Sequence, residues 1–482
     1  MNGNIRQIIF FMIGPFIAKL FSFISLPIIS YYISLKEFGA FTAFTILVMY
    51  FTPLVTLGTE QYYLRIYKPN TGEYIRKILF RLFFSIFFMG MILTFFATLL
   101  GYEVLFNMPS YFWYLGFVTA LFTSLQDIYV RTVRSHGLGE IYSIMTFINQ
   151  LSMFVITVTL VIKYQSLFAL IIATCLSAFI NFVFNKCIFN KYIRKLENTT
   201  VSSRPVSKLI SEALKYSIPL LPAVFLWILQ SSIDRFIISE YLGEEVLGIF
   251  GVALKFGTIV SLFVTSFLIF WEPKIYIYYD ELKDTLNFRE KVTRYKDLYS
   301  IFIQCIIVGL FLFLPLLIKT LSTEYQEAMY IIPLVVLQLY IHGFSYFSGF
   351  GPQLTKKTIH SLYPLVFSVL INISLSLILV KKLQLAGVII AANSSFVMLL
   401  IMNYWISNKL LKYNVSIGKD LIKVGINNIV AVYFFFSHNY VIGLLCIVGL
   451  LIYDIYANKQ YLQGYILLIQ KKIGSKFGIK RP

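Results

Sequence analysis

The sequence predicts an all-α integral membrane protein of about fourteen spanning helices, and three observations carry that reading. Of 482 residues, 58% are hydrophobic, 18% aromatic and only 13% charged, whereas soluble domains carry about 25% charged residues. Mean hydropathy is +0.78. Apolar runs near the length of a bilayer crossing recur along the whole chain, and the basic residues fall almost entirely on one side of those runs. Such a chain has too little polar surface to cover the two to four soluble domains its length would otherwise imply. A soluble enzyme, a disordered protein and a disulfide-stapled secreted scaffold are excluded.

A spanning helix needs about 20 mostly apolar residues. Runs of this kind lie near Ile8–Ile33, Phe38–Leu57, Ile78–Leu100, Tyr111–Ile128, Tyr142–Ile162 and Leu167–Ile188. After a polar gap come Ser217–Ser239, Val246–Phe270, Leu298–Ile318, Ile331–Phe350, Ser361–Val380 and Leu385–Ile406. Two shorter runs, Val424–Ser437 and Tyr440–Tyr456, close the series. The first run is too long for a signal-peptide core, holds Pro15 and Pro27, and is followed by no small-residue cleavage site; it reads as a retained helix. A polar loop, Glu272–Asp297, is expected to carry a short surface helix.

With the N-terminus in the cytoplasm, 33 of the 41 Lys and Arg fall in cytoplasmic segments and only Lys36, Lys163, Lys319, Lys381 and Lys382 in outer loops. The net charge of +19 is therefore a topology signal, and nucleic acid is not an expected partner. Both termini are expected in the cytoplasm. The four cysteines, Cys175, Cys187, Cys305 and Cys446, have no metal-ligand or C-x-x-C spacing, so no metal or cofactor is expected. No Walker loop and no H-E-x-x-H is present.

An internal repeat organises the chain. Ile28-Ile29-Ser30-Tyr31-Tyr32 through Gly39-Ala40-Phe41 matches Ile237-Ile238-Ser239-Glu240-Tyr241 through Gly248-Ile249-Phe250 at a shift of 209 residues, with six identities. Six spans separate the copies, so both have the same orientation. A parallel repeat about an axis along the membrane normal is a transporter design. It predicts two six-helix lobes, residues 1–189 and 216–406, around a central cleft. A basic linker at 190–215 joins them, and 407–482 holds the last two helices and a basic tail.

Charges inside spans are costly and ask for a reason. Lys19, Asp234, Arg235 and Lys255 lie well inside. With about 1.5 Å of rise per residue, Lys19 sits about 20 Å, Lys255 about 14 Å and Arg235 about 10 Å below the outer ends of their helices. Such a ladder of cations suits an anionic group moving through a cleft. Asp234 is expected in an ion pair across helices or in coupling, and Gln230, Asn149, Asn181 and Asn372 are candidates for polar cleft lining. Each of these has a plainer alternative. Arg235 can snorkel to the interface, and the amides can bridge helices.

Gly14-Pro15-Phe16, Pro27-Ile28-Ile29-Ser30 and Leu35-x-Glu37-Phe38-Gly39-Ala40-Phe41 resemble the start of polysaccharide-export flippases. Ile218-Pro219-Leu220-Leu221-Pro222 and Ser232-Ile233-Asp234-Arg235-Phe236-Ile237-Ile238 extend the resemblance into the second half. The family is the Wzx-type O-antigen and capsule flippases of the MOP superfamily, which also contains MATE drug exporters and lipid II flippases. The resemblance implies a non-enzymatic carrier of undecaprenyl-diphosphate-linked oligosaccharide in the bacterial inner membrane, moving repeat units outward by alternating access. The diphosphate would meet the cations and the polyprenyl tail would stay among membrane lipids. A polysaccharide polymerase and a chain-length regulator would be partners. The rivals are a MATE-like multidrug exporter, which calls for more acids in the cleft, and a membrane polymerase or glycosyltransferase, which calls for a larger outer loop.

The orientation is checked by single cysteines in a background lacking the native four. Cysteines at Glu103 and Glu244 should react with an impermeant thiol reagent from outside and those at Ser202 and Lys283 should not; outside labelling at Ser202 overturns it.

Overall fold

The computed structural model describes residues 3–67, 72–100, 109–194, 205–282, 286–355, 357–411, 418–457 and 459. Among helical residues, the side chains of 3–15, 18, 19, 64, 65, 269, 270, 273, 358, 420 and 457 lie outside that description. Glu103, Ser202 and Lys283 also lie outside it. The chain is a multi-pass, all-helical membrane protein, with no strand among the described residues. Its α-helices are α1 (Gly3–Tyr32), α2 (Leu35–Thr56), α3 (Thr59–Ile66), α4 (Gly72–Leu99), α5 (Tyr111–Ser135), α6 (Gly139–Tyr164), α7 (Leu167–Tyr192) and α8 (Val206–Ser217). They continue as α9 (Leu221–Leu242), α10 (Glu244–Leu282), α11 (Leu286–Ile318), α12 (Ile332–Ser348), α13 (Gly351–Leu354), α14 (Leu362–Leu411), α15 (Gly418–Ser437) and α16 (Tyr440–Ala457).

Among the described residues, eight helices are long and apolar enough to cross a bilayer. A bent pair, Thr323–Tyr330 with Ile332–Leu354, makes a ninth if it is one span. Leu421–Ser437 and Tyr440–Tyr456 are shorter apolar helices. The expected boundary between Val380 and Leu385 falls inside α14, where Gln384 leaves helical geometry at φ 48° and ψ −129° and breaks the helix. The polar region 272–297 differs from expectation. Instead of a loop with a short helix, α10 runs on to Leu282 and α11 starts at Leu286. The two extensions hold each other through aromatic side chains: Tyr278 and Tyr295 hydroxyls lie 3.1 Å apart, Lys274 Nζ donates to Tyr295 at 3.3 Å, and Tyr279 packs edge-on against Phe288. Hydropathy reports where hydrocarbon ends, but not where a helix does, because backbone hydrogen bonding continues once neighbouring side chains pack.

The chain divides into two compact units. The first comprises Met1–Leu262, Lys319–Ala328 and Val369–Ala391. Within it, Ser34 caps α2 through a capping box: Glu37 N donates to Ser34 Oγ at 3.3 Å, and Ser34 N donates to Glu37 Oε2 at 3.2 Å. Glu37 Oε1 accepts from Leu167 N at 3.0 Å, so the same carboxylate also caps the N-terminus of α7. Tyr325 covers the turn between α1 and α2, donating to Ile33 O at 2.9 Å and packing on Phe38. Helix α2 is apolar all round and mostly buried. Helix α4 instead leaves Phe88, Met89, Ile92, Leu93, Phe95 and Phe96 exposed along its length, the side-chain chemistry of a hydrocarbon-facing helix.

The α1–α2 and α9–α10 turns touch backbone to backbone. A Cβ placed on Gly39 would stand 1.7 Å from Glu244 O, and one on Gly248 would stand 2.1 Å from Leu35 O. Leu35 and Glu244, like Gly39 and Gly248, are equivalent under the 209-residue shift, so each contact is the image of the other.

The second unit comprises Phe263–Ile318, Met329–Ser368 and Ala392–Pro482. Its core is aromatic, with Trp271 and Tyr299 fully buried and each packed at a tilt against Phe347. Asn393 Nδ2 donates to Leu334 O at 3.2 Å, tying α14 to α12.

Substitution of either turn glycine should be disruptive, because the obstacle is backbone. Gly39→Ala and Gly248→Ala should each cost about 1–3 kcal/mol or more through overpacking, read as a lower unfolding temperature in detergent. Gly309→Ala, whose Cβ would meet nothing within 4 Å, should be tolerated.

Candidate functional site

A polar cavity of about 330 Å³ lies within the first unit, walled by α1, α2, α5, α6, α7 and α10. Small-molecule sites begin at about this size. Lys255 of α10 reaches it, and its Nζ donates to Ser22 Oγ on α1 at 3.0 Å. Among the described residues Lys255 has no carboxylate within ion-pair distance, and no acid lines the cavity. Lys255 Nζ is thus held by one neutral hydroxyl, with no counter-charge among the described residues.

Amides and hydroxyls make up much of the remaining lining. Asn181 of α7 donates through Nδ2 to Asn149 O on α6 at 3.2 Å, and its Oδ1 accepts from Ser152 Oγ. That bridge leaves Asn149 Oδ1 buried without a partner. Gln126 Oε1 of α5 and Thr157 Oγ1 of α6 line the same cavity and are also buried without a partner. Phe21 packs at 5.4 Å from Phe154, giving one wall an apolar face.

The structure brings together three of the residues singled out by sequence, Lys255, Asn149 and Asn181. Lys19 is part of α1, but its side chain lies outside the described residues. Arg235 is on α9 and not in the cavity wall; its guanidinium donates back to Ser231 O of its own helix at 2.9 Å. Asp234 is 2% exposed, and its Oδ1 accepts from the Arg235 amide at 2.9 Å. Among the described residues it makes no ion pair across helices. Beside it, Tyr50 of α2 and Ser232 share a hydrogen bond of 3.2 Å, and Tyr50 packs on Phe225 and Phe236. Gln230 is buried on the same helix. Asn372 is fully buried in α14, where its Oδ1 accepts from Ser376 Oγ at 3.1 Å.

Sequence reasoning passed over Gln126 and the hydroxyls. Gln126 sits beside Asp127 at the polar end of its run, and Ser and Thr usually bond their own helix, as Thr123's neighbour Ser124 does to Ala120 O at 2.7 Å. Asp454 was also passed over, although it lies within an apolar run. It is 1% exposed, pairs with Lys423 Nζ at 2.5 Å, and accepts from Ser300 Oγ at 2.9 Å. Ser300 meets Tyr340, whose hydroxyl accepts from Gln304 at 3.0 Å. This buried network belongs to the second unit and ties α15 and α16 to α11 and α12.

A family model described as polysaccharide biosynthesis protein matches residues 5–273. Among curated proteins no match is found. Of solved structures, a lipid II flippase, MurJ, in an inward closed conformation is similar over 94% of this chain and 100% of that one, with a TM-score of 0.64 and 13% identity. A MATE protein in complex with MaL6 is similar over 85% and 96%, with a TM-score of 0.59 and 15% identity. An outward-facing multidrug resistance MATE transporter of the MOP superfamily is similar over 85% and 95%, with a TM-score of 0.54 and 14% identity. The chain thus shares the fold of the MurJ and MATE structures.

Breaking the Lys423–Asp454 pair from one side strands a buried charge. Lys423→Met alone should cost about 3–5 kcal/mol, and Lys423→Met with Asp454→Leu should recover most of the loss, measured as unfolding temperature of the purified protein.

Proposed function

Because the chain belongs to the polysaccharide biosynthesis protein family, we propose that it is a flippase for undecaprenyl-diphosphate-linked oligosaccharide. On this reading it carries repeat units from the cytoplasmic to the outer leaflet of the bacterial inner membrane for O-antigen, capsule or exopolysaccharide assembly. Both termini lie in the cytoplasm, and the chain crosses fourteen times. A polysaccharide polymerase and a chain-length regulator act downstream of it.

The observation that carries the reading is the cavity: an ammonium with no acid among the described lining residues, surrounded by amides and hydroxyls. Such a wall attracts anions and hydroxylated groups and repels cationic compounds, which favours a saccharide carrier over an exporter of cationic drugs. Lys255, with Lys19 and Arg235, supplies positive charge along the path of the anionic head group, while the polyprenyl tail stays in lipid. Asp234 acts as a partner for these cations during movement. An inside-negative potential favours outward transfer of an anion by about 2.3 kcal/mol per charge per 100 mV.

Movement is by alternating access of two lobes, 1–189 and 216–406, related by a two-fold axis along the membrane normal. The reciprocal contacts of Gly39 with Glu244 and of Gly248 with Leu35 support this, since a two-fold operation makes residue i touch j′ wherever j touches i′.

The experiment is transport of a fluorescent undecaprenyl-diphosphate-linked disaccharide in vesicles holding the purified chain, beside surface polysaccharide in cells. Wild-type protein should move the lipid. Lys255→Arg should keep partial export, and Lys255→Gln should lose most of it at equal membrane abundance; Lys19 should respond in the same way. Absence of transport by the wild-type chain overturns the assignment, and full export by well-expressed Gln variants overturns the role of the cations.

A further inference from the structure

Hydrogen-bond arithmetic in the cavity narrows what it can hold. An ammonium has three protons and no acceptor. Lys255 gives one to Ser22 Oγ, and among the described residues the other two have no acceptor. Asn149 Oδ1 and Gln126 Oε1 are pure acceptors, and neither meets a donor. Thr157 is 5% exposed, and its hydroxyl is likewise without a partner. The site thus has both unmet donors and unmet acceptors.

An inorganic anion satisfies the lysine but brings few hydroxyl protons for Asn149 Oδ1, Gln126 Oε1 and Thr157 Oγ1 together. A cationic compound does the reverse and opposes the ammonium. A hydroxyl-rich ring bearing a carboxylate satisfies both sets at once, with its carboxylate on Lys255 and its hydroxyls donating to Asn149, Gln126 and Thr157. The Phe21–Phe154 face offers an apolar surface to the ring's C–H groups, and 330 Å³ is suited to a small ligand rather than a long oligosaccharide.

We propose that this cavity is a subsite for a single acidic sugar residue, of the uronic-acid class, within the transported head group. The inference rests on the saccharide-carrier reading above and adds to it the class of sugar and the residues that select it. Buried polar groups left unmet cost stability in the empty protein, so the site is held ready at a cost that the ligand relieves.

The test uses the full chain in lipid nanodiscs, with glucuronate, glucose and inorganic phosphate as probes, read by titration calorimetry and unfolding temperature. Glucuronate should bind saturably and more tightly than glucose or phosphate. Lys255→Gln, which can still bond Ser22, should weaken glucuronate about tenfold and leave glucose unchanged. Thr157→Val should weaken both sugars yet raise the unfolding temperature of the empty protein, because it removes a hydroxyl that has no partner; Thr157→Ser should keep binding. Phosphate binding as tight as glucuronate binding and indifferent to Thr157→Val overturns the proposal in favour of a plain anion site. Absence of saturable binding by the wild-type chain, or sugar binding unchanged in both variants, overturns it outright. Vesicle transport by the same preparation separates the two readings. A chain that moves the lipid-linked disaccharide but fails these binding tests loses the subsite alone. A chain that binds glucuronate through Lys255 and Thr157 but moves no lipid-linked saccharide loses the flippase assignment.

Discussion

Hydrocarbon offers no hydrogen-bond partners, and that constraint governs the molecule. Each backbone amide and carbonyl in the membrane must be satisfied within the chain, so the described residues are helical nearly throughout. Departures from helix occur where other groups take over the bonding. The turn after α1 is closed by Ser34, Glu37 and the Tyr325 hydroxyl. The same constraint explains why polar side chains inside the helices find partners on neighbouring helices, as Asn181 does on Asn149 and Asn393 on Leu334, and why atoms left unmet at one place are informative.

The helices were largely legible because one variable, side-chain transfer to hydrocarbon, dominates the sequence. Every expected apolar run falls on a helix, and even the gap around Lys381, Lys382 and Gln384 marks the break in α14. Two regions read less well for the same reason. Residues 272–282 and 286–297 are polar, yet helical, because packing of Tyr278, Tyr279, Tyr295 and Phe288 replaces burial in lipid. Val206–Ser217 lies in a stretch expected as linker, but Leu209, Ala213 and Ser217 recur at helical spacing and are buried, and Tyr62 donates to Glu212 at 3.1 Å.

The candidate site was half legible. Lys255, Asn149 and Asn181 stand out because charged and amide groups are costly in apolar runs. Their convergence does not, since it depends on the rotation of each helix about its axis, and a span that is apolar all round gives no periodic signal of that rotation. Helices α2 and α7 are of this kind. Gln126 and Thr157 were hidden by context, one at the polar end of a run and the other among many hydroxyls that serve their own helices. Asp454 shows the opposite case, an acid in an apolar run whose role is to neutralise Lys423 and join four helices.

Glu37 has one further meaning. Its two oxygens are shared between the first turn of α2 and the first amide of α7, at a residue 130 positions further along the chain. Phe41 and Leu170, about one turn inward from that carboxylate, both line the cavity. The acid therefore works as a clasp: while both bonds hold, α2 and α7 are yoked at their tips, beside the chamber that both help to wall.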